Sequence, residues 1–186
     1  MHLFLKQTTL NFIASDYWRY AAKKASFFKM FRETFYNHCF AYTFWLRIAA
    51  LEENIIGKIA KKRLAVLSKK YGLQIPSETT IGYGLYIGHG IGIVVNPTAI
   101  IGNNCNLSQF ITIGANEGVA AEIGDNVYIG PSVCLVERIK IGNNVTIGAG
   151  AVVVKDVPDN ATVAGVPAKI ISYKTPGRYI NKRWIE

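Results

Sequence analysis

Three histidines and three cysteines are the residues of this 186-residue chain best suited to proton transfer or nucleophilic attack, and their settings differ. His89 stands in the run Gly88-His89-Gly90-Ile91-Gly92. An imidazole can take up and return a proton near neutral pH, and glycines on both sides let a ligand approach the main chain closely. His2 and His38 have no motif around them. Cys39, Cys105 and Cys134 form no CxxC pair, so neither a disulfide framework nor a zinc site is indicated, and no metal is expected. No base accompanies Cys134, and Cys105 falls at an inward-facing position, which argues against acyl transfer through a cysteine.

The elements that must hold His89 are legible from a repeat. Ile-Gly dipeptides recur at 81, 87, 101, 113, 123, 129, 141 and 147, spaced by multiples of six within blocks, with one more at 91 out of phase. A large aliphatic then falls at Ile81, Ile87, Val95, Ile101, Leu107, Ile113, Ile123, Ile129, Leu135, Ile141, Ile147 and Val153. Four residues after each comes a second inward position: Leu85, Ile91, Ala99, Cys105, Ile111, then Glu117, then Val127 to Val157. Only Glu117 fails. Gly-Asn and Gly-Asp runs between them (Gly102-Asn103-Asn104, Gly124-Asp125-Asn126, Gly142-Asn143-Asn144) tolerate the left-handed backbone of tight corners. Three such hexads close one triangular coil, and twelve make four coils stacked at about 4.8 Å. The fold expected over residues 74–171 is a parallel β-helix, and the hexapeptide period favours the left-handed kind.

The repeat slips twice. The step from Ile87 to Val95 is eight residues, and that from Ile113 to Ile123 is ten. Extra residues in a solenoid loop outward, often on the functional face. The first slip carries His89, two residues past an inward aliphatic and so pointing outward. Counting faces puts His89, Gln109, Pro131 and Ala149 in one uncharged groove. The loop 115–122 leaves from another corner, so a second chain is expected to bring it to His89.

Residues 1–73 read differently. They hold two glycines and no proline, with apolar residues at helical spacing (Phe27, Phe28, Phe31, Phe35, Phe40, Phe44, Ile56, Ile59, Leu64, Leu67), which predicts two to four helices. Formal charge divides as +9 over 1–73, −4 over 74–168 and +4 over the basic tail region that follows. The run Lys58, Lys61, Lys62, Lys69 fits one solvated helix face, while the basic, aromatic surface would also suit anionic membrane headgroups. Residues 172–186 read as a basic C-terminal tail. Half the residues are hydrophobic and 18% charged, which excludes a disordered chain. The longest apolar stretch, 39–51, is interrupted by Arg47 and is too short to span a bilayer. A cytoplasmic protein is expected, with the inner face of the membrane as an alternative station, and no nucleic-acid partner.

The stretches IPSETTIGYGLYIGHGIGIVVNPTAIIGNNCNLSQFITIG and IGNNVTIGAGAVVVKDVPDNATVAGVPAKII resemble the hexapeptide acyltransferases of the serine acetyltransferase type, with the nearest likeness to relatives that O-acetylate bacterial surface polysaccharides. The resemblance covers residues 74–171, and the helical part only in outline. It implies an acetyl-CoA co-substrate and a homotrimer, with pairing of trimers through the helices as an option, and sites between neighbouring prisms. It makes His89 the general base on an acceptor hydroxyl and Gln74 the match to the carboxylate that orients it. It implies the Ala115 N–H as oxyanion donor, Gly114, Ala115, Pro131, Gly148 and Ala149 along the coenzyme arm, and Lys169 for a phosphate.

The chain departs from serine acetyltransferases at the residues that grip the amino acid. Their aspartate before the catalytic histidine is Gly88 here, and their second histidine, in a longer loop, is matched by the segment around Ala120. The reading that follows is an O-acetyltransferase acting on a sugar hydroxyl of a surface polysaccharide or its precursor, with serine a poor acceptor. Serine O-acetyltransferase and a non-catalytic trimeric scaffold are the alternatives.

Overall fold

The computed structural model describes residues 5–185. Four helices come first: α1 (Gln7–Ala21), α2 (Phe27–Glu33), α3 (His38–Leu51) and α4 (Ile55–Tyr71). α3 is buried from Cys39 to Ala49 and is the hub of this layer, packed by α1 and α4. Its N-cap, Asn37, accepts the Phe40 N–H at 3.0 Å, which supplies one of the amides a helix start leaves without a partner. α4 is capped by Asn54 and ends at Gly72, whose φ of 66° is left-handed. Its lysines 58, 61, 62 and 69 are solvated, as the spacing predicts. Ile59, Phe28 and Phe35 are exposed rather than core, because each helix buries one stripe only.

The twelve predicted aliphatics each lie in a short strand. One face of the prism is built from β1 (Thr80–Ile81), β4 (Ile100–Ile101), β7 (Glu122–Ile123) and β10 (Lys140–Ile141). A second holds β2 (Tyr86–Ile87), β5 (Asn106–Leu107), β8 (Tyr128–Ile129) and β11 (Thr146–Ile147). The third holds β3 (Val94–Val95), β6 (Thr112–Gly114), β9 (Cys134–Val136) and β12 (Val152–Val153). Pairing within each face is parallel and in register, Ile87 beside Leu107 beside Ile129 beside Ile147. The inward aliphatics stack into one continuous core. Two inward positions differ from the sequence count. Ile91 is 48% exposed and Ile93 takes its place, and Ala121 fills the place given to Glu117. Both inserts lie upstream of the residue that turns inward, so the frame is kept by counting back two from the next strand.

The solenoid runs further than twelve strands. Val157 bridges to Ile141, β13 (Thr162–Ala164) adds to β11, and β14 (Lys169–Ser172) closes the end in antiparallel pairing with β13. The basic tail then doubles back along the second face. Tyr179 O accepts from Asn106 Nδ2, Trp184 exchanges two hydrogen bonds with the Asn104 amide, and Asn181 O accepts from Arg19 of α1.

At the other end, the first coil has no coil before it, and unpaired buried backbone groups are costly. Side chains of the helical layer satisfy them. Arg47 donates to the carbonyls of Ile81 and Gly82 while holding Asp16 in a two-pronged ion pair. Asp16 in turn accepts the Leu85 N–H, and Ser15 accepts that of Gly84. The Tyr20 hydroxyl serves both N–H and C=O of Ile87, and burial pushes its phenol well up, so it stays protonated and able to donate.

Candidate active site

The corner between the second and third faces is a regular stair. Ser108 N donates to Ile129 O, Ser132 N to Gln109 O and Gly150 N to Pro131 O. One coil earlier, Gly88 N donates to Leu107 O and Phe110 N to Ile91 O. Gly88 therefore stands over Ser108 and Ile91 over Gln109, which leaves His89 and Gly90 as the two inserted residues. The row along the groove is Ile91, Gln109, Pro131 and Ala149. His89 does not belong to it, as the face count had it, but stands out beyond it, exposed to solvent. Gly92, Phe110, Ser132 and Gly150 share a left-handed φ at this corner. At Gly92 a Cβ would strike the Phe110 ring, so a side chain there requires that ring to move.

The inserted pair is held from several sides. Ile91 N donates to His89 O at 2.9 Å, closing a tight turn, and Gly92 N donates to Tyr71 O at the end of α4. Beneath the loop lies the start of α3, where the Cys39 thiol touches it and His38 stacks on Tyr71 with ring centroids 4.5 Å apart. Nothing in the sequence marked His38 or Cys39, because the neighbourhood exists only once the helices cap the first coil. Gln109, counted into the groove from the repeat, keeps its place there, and its Oε1 is shielded from solvent without a hydrogen-bond partner among the described residues.

Gln74 extends the third face past β3. Its main chain exchanges hydrogen bonds with Ile93 O and Val95 N, and its exposed side chain makes no hydrogen bond to His89. Pro131, Gly148 and Ala149 lie along the His89 corner. Gly114 and Ala115 lie at the next corner, across the width of the third face, where the loop 115–122 departs. That loop is anchored: Asn96 Nδ2 donates to Ala115 O, Thr98 Oγ1 accepts Ala120 N, and the Glu137 carboxylate accepts from Asn116 and Glu117. The Ala115 N–H has no partner among the described residues. Lys169 is exposed on β14. Within one chain the candidates thus fall into two groups at two corners. Among the cysteines, burial pushes the Cys105 thiol up to about 12 and raises that of Cys39, so neither is an activated nucleophile.

The chain is similar to known proteins along most of its length. Residues 120–155 match the family model described as bacterial transferase hexapeptide (six repeats). A serine acetyltransferase of Staphylococcus epidermidis is 37% identical over 129 residues, 67% of this chain and 60% of that protein. Serine acetyltransferase 4 of Arabidopsis thaliana is 35% identical over 111 residues, 58% of this chain and 31% of that protein. The chain thus spans 31% to 60% of the length of these relatives. The crystal structure of Neisseria gonorrhoeae serine acetyltransferase in complex with serine superposes with a TM-score of 0.71 at 31% identity, covering 88% of this chain and 69% of that one. These findings correct the expected nearest likeness to polysaccharide O-acetyltransferases and the sugar acceptor built on it, since the relatives are named serine acetyltransferases. The physical reason lies in the helical layer. A match over 88% of the chain must take in much of α1 to α4 as well as the β-helix, whereas the sugar reading rested on Gly88 and one short loop.

Proposed function

The chain belongs to the hexapeptide-repeat acyltransferases of the serine acetyltransferase type, and from that premise we propose that it transfers acetyl from acetyl-CoA to the hydroxyl of L-serine, with His89 as general base. The observation that carries this reading is the placement of His89: an inserted, exposed residue on a loop fastened at several backbone points, beside the uncharged groove of Ile91, Gln109, Pro131 and Ala149.

In this mechanism the His89 imidazole takes the hydroxyl proton as the oxygen attacks the thioester carbonyl. The carbonyl oxygen becomes an oxyanion, and the unpartnered Ala115 N–H is suited to receive it. Collapse expels the coenzyme thiolate, which recovers the proton from the imidazolium. Pro131, Gly148 and Ala149 give the thin coenzyme arm a groove without protruding side chains, and Lys169 offers a cation for a phosphate.

His89 and Ala115 occupy different corners, so the proposal requires a neighbouring chain to supply the second. The three faces of the prism are unequal in a way that favours such a partner. The second is covered by α1 and the tail, and the first carries Glu122 and Lys140. The third is open and apolar, with Val94, Val136 and Val154 and the corner residue Phe110 exposed. A homotrimer that buries the third face brings each His89 corner towards a neighbour's loop 115–122. Acetyl-CoA as donor sets the reaction in the cytoplasm.

The test is release of coenzyme thiol from acetyl-CoA with and without L-serine, beside light scattering of the assembly. Serine-dependent release by a trimer or its multiple is expected. A stable monomer would remove the composite site, and binding of acetyl-CoA without release to serine would return the chain to a scaffold role.

A further inference from the structure

Both peptide groups that bracket the Cα of His89 end on one sulfur atom. The carbonyl of Gly88 accepts from the Cys39 thiol at 3.7 Å, and the N–H of Gly90 donates to the same Sγ at 3.2 Å. Those two peptide planes set φ and ψ of His89, and so the direction in which its side chain leaves the main chain. We propose that the Cys39 thiol is a positioning residue for His89, a two-point clasp that fixes the loop on the helical layer and aims the imidazole at the acceptor hydroxyl. The inference rests on the reading of His89 as the base.

Each part of the clasp has a physical reason. Cys39 sits in the first turn of α3, a helix capped by Asn37 and buried along its length, so the sulfur is carried by a rigid element. A neutral thiol can donate one hydrogen bond and accept another. Burial keeps this thiol protonated, as donation to Gly88 O demands. Glycine at 90 lets the loop approach the sulfur closely, because a Cβ there would lie 3.1 Å from Sγ and push it away by a few tenths of an ångström. The far side of the loop is fixed separately by Gly92 N on Tyr71 O. Without the clasp His89 would hang on an exposed turn, and misplacement of a reacting group by about 1 Å is enough to cost roughly 100-fold in rate.

The experiment compares the full-length wild type with Cys39→Val, Cys39→Ser and His89→Ala. Valine fills the space but offers no hydrogen bond, whereas serine keeps both a donor and an acceptor. Cys39→Val is expected to lower kcat by roughly 10- to 100-fold with KM for acetyl-CoA unchanged, and Cys39→Ser to recover a large part of the loss. Hydrogen exchange at the Gly90 amide should be slow in the wild type and markedly faster in Cys39→Val. A folded Cys39→Val enzyme with wild-type kcat would overturn the clasp. So would a Gly90 amide that is unprotected in the wild type, a measurement that stands even if the variants do not fold. Full turnover by His89→Ala beside a protected Gly90 amide would instead overturn the reading of the base and leave the clasp as a loop anchor.

Discussion

The two ends of the β-helix solve one problem in two ways. Both coils at the ends expose a row of backbone donors and acceptors that the stack cannot pair. The far end is closed by main chain: β14 turns back on β13, and Ala168 N donates to Val152 O. The near end has main-chain bonds only beside the third face, from Tyr71 and Gln74, and is otherwise closed by side chains from α1 and α3, namely Ser15, Asp16, Arg19, Tyr20, Cys39 and Arg47. Main-chain closure is indifferent to sequence, whereas side-chain closure fixes residue identities and lets the cap shape the coil beneath. The candidate base lies at the near end, where an insertion in the first coil could be gripped by groups chosen one at a time.

The sharpest way to break this comparison is to remove a cap. Arg47→Leu strips the partner from a fully buried Asp16 carboxylate, whose pKa burial already raises against the pull of Arg47, and it orphans the carbonyls of Ile81 and Gly82. Breaking a buried pair from one side costs about 3–5 kcal/mol. Urea unfolding at fixed protein concentration should show a loss of that size. A loss below about 1 kcal/mol would mean that the near end is held mainly by apolar packing.

His89→Ala separates the site from the cap that carries it. The side chain is exposed and makes no hydrogen bond among the described residues, so stability and acetyl-CoA binding should hold while turnover falls by about 10²–10⁴, the usual worth of a general base. Unchanged turnover at saturating substrates would move the base elsewhere.

How much of this was open to the sequence follows from what each residue depends on. The hexad frame depends only on neighbours in the chain, so all twelve aliphatics land in strands. The misplacement of Ile91 and Glu117 arose where an insertion breaks that local rule and the stack above and below decides which residue turns inward. The row of His89 failed for the same reason, because face counting cannot say which two of eight residues are extra. Cys39 and His38 were invisible, since their relation to the loop spans about 50 positions of sequence and exists only through helix packing. The acceptor was misjudged because single residues, Gly88 above all, were weighed more heavily than the helical layer. The four coils counted from the hexads stand, and past them the step from Val153 to the next stacked residue, Val157, shortens to four residues before β13.

Gly88 offers a gain-of-function test at the same end. A Cβ there would meet only the Tyr86 ring edge, at 3.5 Å, and the backbone is not left-handed, so a side chain is sterically allowed. If serine is the acceptor as proposed, Gly88→Asp supplies a carboxylate next to His89 that can meet the ammonium. A hydrogen bond to a charged group contributes about 1.5–3 kcal/mol, so KM for serine should fall roughly 10-fold or more. An unchanged KM would show that the ammonium lies elsewhere.

Cys105 probes the core between the ends. Its thiol is pushed up to about 12 by burial, above the ordinary thiol range, so the unfolded chain loses this proton first as pH rises. The stability tied to the neutral thiol is whole below pH 9 and drains away as pH climbs towards 12. The urea midpoint of Cys105→Val should therefore fall less steeply than that of the wild type over this range. Parallel slopes would show that other buried groups, Tyr20 among them, govern the alkaline limb.

The smallest effect belongs to the far end. Ile171 lies in β14 with 65% of its surface exposed, at the irregularity between Ile170 and Ser172, and the closure is made by the backbone of its neighbours paired with β13 rather than by its side chain. Ile171→Thr keeps β-branching and gives up little buried apolar area, so the change in stability should stay within about 0.5 kcal/mol. The contrast with Arg47→Leu is the quantity of interest, because both substitutions fall on elements that close an end of the same stack. A loss at Ile171 approaching that at Arg47 would mean that its exposed face is covered in the assembled protein, and that the far end too is closed by side chains, supplied by another chain.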